Sequence, residues 1–102
     1  MPKTAIKPGE YPRLVKEALS KQFSPSSITV YRYNPASVRV RIIDRQFSGM
    51  SIPQREEAVL PLLRELPEEV QADLTVLLLL GPDETSASLM NREFEDPSRS
   101  TR

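Results

Sequence analysis

Two groups of residues in this sequence have types and spacing that could carry chemistry. The first is Tyr31, Tyr33, Arg39 and Arg41. Tyrosines interleaved with arginines can stack on bases and contact phosphates. The second lies in "FSGMSIPQREEAV", Phe47 to Val59, where Phe47, Gly49 and Ser51 lead into Arg55 and Glu56. A glycine loop opening into a helix N-terminus presents free N–H groups that can hold an anion. Each group also has a plainer reading. The tyrosines and arginines can be cross-strand pairs on a solvated sheet face, held by cation–π contact. The glycine can supply an unusual backbone angle in a strand-to-helix turn, with Phe47 plugging the core. A single glycine falls short of the phosphate-binding loops, which need several at set spacing, often with a lysine.

Composition removes most other chemistry. The chain has no cysteine, which excludes disulfides, thiolate nucleophiles and zinc–thiolate sites. It also has no histidine, the commonest metal ligand and the commonest general acid–base group near neutral pH. A Ser-His-Asp arrangement is therefore impossible. Glu56 and Glu57 are neighbours on a helix and point about 100° apart, so they do not converge. Glu68 and Glu69 fall in the first turn of a helix, where acids are stabilising in any case. Expectations from these facts are no catalytic residues, no metal site and no cofactor.

With 14 basic and 14 acidic residues, the net charge is zero, so the whole chain should not attract polyanions strongly. Ten prolines among 102 residues are about twice the usual share. The N-terminus lacks an apolar run of signal-peptide length, and "VLLLL" is too short to span a bilayer. A cytoplasmic protein without a membrane partner is the expectation.

These residues must be positioned by ordinary elements. Residues 1–10 read as a flexible arm broken by Pro2, Pro8 and Gly9. From Tyr11, the residues Leu14, Val15, Ala18 and Leu19 follow helical spacing, with Pro12 in the first turn. "SITVYRYN" and "SVRVRII" are strands joined by the turn "NPAS". Ile28, Val30, Val38, Val40 and Ile42 then form the buried face. The tyrosines and arginines share the other, with Tyr31 opposite Arg41 and Tyr33 opposite Arg39. Ser51 and Gln54 match a capping box for a second helix, whose apolar stripe is Val59, Leu62, Leu63 and Leu66. Pro61 should kink it. "PEEVQAD" forms a short helical turn, and "DLTVLLLLG" a third strand. Its surplus leucines, Leu77 and Leu79, should need the tail or a partner to cover them. Residues 85–102 read as a tail, helical around Ser86–Phe94 and disordered over its last eight residues.

The predicted fold class is α+β: a two-layer sandwich in the order α-β-β-α-β, with a three-stranded mixed sheet and helices on one face. This layout over residues 11–84 resembles the BolA-like family, itself related to the KH type II arrangement. In "SVRVRIIDRQFSGMSIPQREEAVLPLL", Phe47, Gly49, Ser51 and Arg55 stand where the family places an aromatic, a glycine, a small polar residue and an arginine. The resemblance implies binding to a monothiol glutaredoxin through a shared iron–sulfur cluster. In the family a helix histidine helps hold that cluster, and here Glu56 occupies its place. A carboxylate is a poor replacement where the other ligands are soft. The resemblance thus implies the fold and a protein partner, without cluster binding of the usual kind.

The sequence therefore points to a small non-enzymatic adaptor acting through protein contacts, as a monomer or weak dimer. Its contact surface would be Leu77, Leu79 and the Phe47–Glu56 region. The alternative is a nucleic-acid-binding module that uses the open sheet face or the glycine loop.

Overall fold

A computed structural model of the chain describes residues 6–96. The expected disorder of the last eight residues falls almost wholly outside this range. The first five residues of the expected arm also lie outside it. Within it, Pro8–Glu10 form a single 3-10 turn that leads directly into helix α1, Tyr11–Leu19. Tyr11, Val15, Ala18 and Leu19 are buried along one stripe, as their spacing requires.

Strand β1 spans Ile28–Asn34 and β2 spans Ser37–Ile43, paired antiparallel. Strand β3, Leu74–Leu80, runs parallel to β2, and the order is β1-β2-β3. The central strand is thus β2, whose Val38, Val40 and Ile42 are all but inaccessible. A parallel neighbour needs a long crossover. Here it is built from a 3-10 turn at Arg45–Phe47, helix α2 at Ile52–Leu63 and helix α3 at Glu68–Asp73. The core lies between the sheet and the helices. It joins Val15, Leu19 and Phe23 to Ile28, Val40 and Ile42 from the sheet and to Phe47, Val59 and Leu63 from the crossover.

The mixed three-stranded sheet and the α+β class agree with expectation. The hairpin register does not. Tyr31 pairs with Arg39, Val30 with Val40 and Thr29 with Arg41. Each residue is thus displaced by two from the expected partner. The cause is a tighter turn: Pro35 and Ala36 alone connect the strands, Asn34 Oδ1 accepts from the Ala36 N–H at 2.9 Å, and a bulge precedes it in β1 between Arg32 and Asn34. A shift of two keeps every side chain on its expected face.

Helix α2 runs unbroken through Pro61. The proline lies two residues from the end, so little of the hydrogen-bond ladder follows it. In β3, Leu77 pairs with Val40 and Leu79 with Ile42, and both join the helix side of the sheet. Leu79 is part of the core and Leu77, half-buried, packs against it, so the tail covers neither of them. Val76 and Leu78, beside Arg39 and Arg41, are the apolar residues of the other face.

That other face is also not open. After β3 the chain makes a 3-10 segment, Pro82–Ala87, and then helix α4, Leu89–Glu95. Phe94 is buried, with its ring edge-on to Tyr31 at 5.5 Å between centroids. Helices α1 and α2 therefore cover one face of the sheet, and α4 adds cover to the opposite one. Among the described residues, no helix is long and apolar enough to cross a membrane.

Candidate functional site

Strand alternation brings Tyr31, Tyr33, Arg39 and Arg41 together, but their polar groups are already engaged. The Arg39 guanidinium lies 3.6 Å from the centre of the Tyr33 ring and donates to the Tyr31 hydroxyl at 3.1 Å. It also faces Glu93 of α4 at 3.7 Å. Arg41 donates to Asn91 Oδ1 at 2.7 Å and to Thr29 Oγ1 at 3.0 Å, and it forms an ion pair with Glu95. The side chains of Arg39 and Arg41 keep only 15% and 12% of their exposure. With α4 in place, Phe94, Glu93 and Glu95 stand beside the ring and the guanidinium groups that a base or a phosphate would contact. The pattern is the cross-strand and cation–π reading, extended by acids from a helix the spacing did not place there.

The Phe47–Glu56 junction is similarly filled from within. Gly49 has φ of 84°, the left-handed region that glycine tolerates. Phe47 is fully buried and its ring lies 5.6 Å from that of Phe23. Ser51 caps α2 reciprocally: its hydroxyl accepts from the Gln54 N–H at 3.3 Å, and Gln54 Oε1 accepts from the Ser51 N–H at 2.8 Å. Ser48 donates to Asp83 at 2.9 Å. An incoming anion would meet the carboxylates of Asp83 and Glu84, so the junction is a turn and a cap, not an open anion site.

Arg55 is buried and acts as a clamp. Its two terminal nitrogens each donate to one oxygen of Glu84 at 2.7 Å, Nη1 also reaches the Leu79 carbonyl at 2.8 Å, and Nε donates to the Met50 carbonyl at 3.0 Å. The Arg55 hydrogen bonds, followed by one from the Gly81 N–H at 2.9 Å, lower the Glu84 carboxyl to about 2. The sequence marked Arg55 through its motif position. Glu84, 29 residues away, carried no signal.

Among the expected contact residues, Glu56 and Leu77 lie on an accessible flank of α2 beside β3. A groove of about 410 Å³ runs between them, floored by Val40, Leu60, Leu63, Leu74 and Leu77. Glu56, Arg64 and Gln71 edge it. A recess of about 80 Å³ continues past Glu56 toward Leu80, bordered by Ile52, which is 60% exposed. Glu56 faces solvent here, and no group of three or more acidic side chains converges among the described residues. The residues present do not fit an iron–sulfur cluster, whose irons want thiolate or imidazole donors.

No protein-family model and no curated protein matches this sequence. Among solved structures, BolA1 from Arabidopsis thaliana is similar, with a TM-score of 0.52 at 24% identity. The match covers 72% of this chain and 94% of that one. Similarity at this level concerns fold: the chain has a BolA-like fold.

Proposed function

We propose that this BolA-like domain is a non-catalytic binding module that docks other proteins along the α2 flank and the free edge of β3. The observation that supports this best is the apolar groove between Leu60, Leu63, Leu74 and Leu77, open beside an unpaired strand edge. A strand edge offers backbone donors and acceptors, and a neighbouring groove takes alternate side chains of an added strand. The sheet face supports catalysis poorly, because Tyr31, Tyr33, Arg39 and Arg41 are engaged with one another and with α4. A glutaredoxin, the partner implied by the resemblance, would meet the Glu56 carboxylate in place of an imidazole. It would have to bind through protein contact alone.

The test is a chemical-shift titration of the labelled chain with a monothiol glutaredoxin and, separately, with short oligonucleotides. The expected outcome is perturbation of Glu56, Leu60 and Leu77 by the protein and none of Tyr31, Arg39 or Arg41 by the oligonucleotides. Unmoved α2 and β3 resonances together with oligonucleotide shifts on the sheet face would favour nucleic-acid binding instead.

A further inference from the structure

We infer that the free edge of β3 pairs with the same edge of a second copy, joining two three-stranded sheets into one of six strands. The inference rests on the reading of the α2–β3 strip as a docking surface and names what occupies it in the chain by itself.

The two edges of the sheet are treated differently by the sequence. Strand β1 carries Arg32 and a following proline, devices that discourage edge-to-edge pairing. Strand β3, "LTVLLLL", has no charge, no proline and no glycine. It has a bulge of its own, since Val38 pairs with Leu74 and Arg39 with Val76, leaving Thr75 as the extra residue. The Leu80 carbonyl accepts from the Asp44 N–H at 2.9 Å, toward β2, whereas the Leu79 carbonyl turns outward to Arg55. Carbonyls alternate along a regular strand, so that of Leu77 also points to the free edge. Among the described residues no strand pairs with that edge, and Arg55 occupies it at Leu79.

The rim of the groove supplies the choice of occupant. Glu56, Leu60 and Arg64 follow one another at intervals of four along α2 and its C-cap, on the side facing the groove. Among the described residues, neither the Glu56 nor the Arg64 side chain has a hydrogen bond or an ion pair. An acid, an apolar residue and a base in a line are their own complement under a two-fold rotation. With an axis near Val76 and Leu77, β3 lies antiparallel to its copy, and Glu56 of each chain faces Arg64 of the other. A two-fold interface must be self-complementary in this way. The exposed Ile52 and the groove leucines lie along the same strip and would be covered by the contact.

Sedimentation equilibrium of the full chain, with reciprocal charge reversals, tests this. Both residues are exposed, so the monomer fold should tolerate Glu56→Arg and Arg64→Glu. A dimer is expected at or below about 1 mM, in the range of weak transient contacts. Each single reversal should weaken it about tenfold, since the like-charge contact occurs twice across the axis. The double reversal should restore most of the loss. Amide exchange at Leu77 should slow with concentration in the parent chain and in the double variant only. A strictly monomeric chain at that concentration overturns the inference, as does a dimer insensitive to both single reversals. If the chain is monomeric yet glutaredoxin still perturbs Glu56, Leu60 and Leu77, the second copy is wrong and the docking surface stands.

Discussion

The Arg55 guanidinium and the Glu84 carboxylate meet in parallel, each terminal nitrogen of one 2.7 Å from an oxygen of the other. This fork ties the first turn of α2 to the segment after β3, and Arg55 holds the Leu79 and Met50 carbonyls as well. Arg55→Met should therefore keep the buried stem and lose every one of these bonds. Urea unfolding is expected to show a loss of about 2 kcal/mol, with an unchanged m-value. Lysine should rescue it poorly, because an ammonium cannot reproduce the planar fork.

The same pair sets an acid limb in stability. Glu84 has its folded carboxyl lowered from the ordinary 4.5 to about 2, first by Arg55 and then by the Gly81 N–H. A lowered folded value means the unfolded chain binds the proton first as pH falls. The stabilisation is complete above about pH 4.5 and is lost progressively toward pH 2. Thermal melts across that window should fall in the parent chain and fall less steeply in Glu84→Gln, which starts from a lower plateau.

Gly49 tests the turn directly. Its φ of 84° strains any L side chain, whereas an added Cβ would meet nothing within 4 Å. Gly49→Ala should cost about 1 kcal/mol through backbone strain alone. Gly49→Asn should cost less, since asparagine tolerates that region better than alanine. Differential scanning calorimetry distinguishes the two.

Phe94→Ala should detach α4 from the sheet. The ring is buried against Tyr31, and its loss should cost about 3 kcal/mol, concentrated in that contact. Amide exchange should accelerate from Leu89 to Glu95 and remain slow at Val40. At low salt the variant, and not the parent, should retard a single-stranded oligonucleotide in a mobility-shift assay.

Much of this fold was legible because its periodicities are strong. Val15, Ala18 and Leu19 marked α1, the Ser51–Gln54 pair marked the start of α2, and Val38, Val40 and Ile42 marked the inner face of β2. The hairpin register differs by two, since the two-residue turn and the bulge before it have no apolar signature of their own. Leu77 and Leu79 were misread for a related reason. An all-apolar strand does not announce which alternate set faces the helices, and only its pairing with Val40 and Ile42 decides. The site residues were found as a set and misjudged in their surroundings. Local pattern placed Arg39 and Arg41 side by side, but Asn91, Phe94 and Glu95 lie some fifty residues away, on a helix with a single strongly buried apolar anchor. Arg32 was not singled out at all, although it joins the Pro8 carbonyl, Asp73 and the Tyr11 ring.

Helix α4 has one more consequence. Its carboxylates occupy the positions beside Arg39 and Arg41 that phosphate oxygens would seek. A polyanion arriving from solution therefore faces a rival tethered to the same chain, at an effective concentration on the order of millimolar. The two arginines are reserved for an internal acid, and an external one can reach them only in proportion to the time that acid is away.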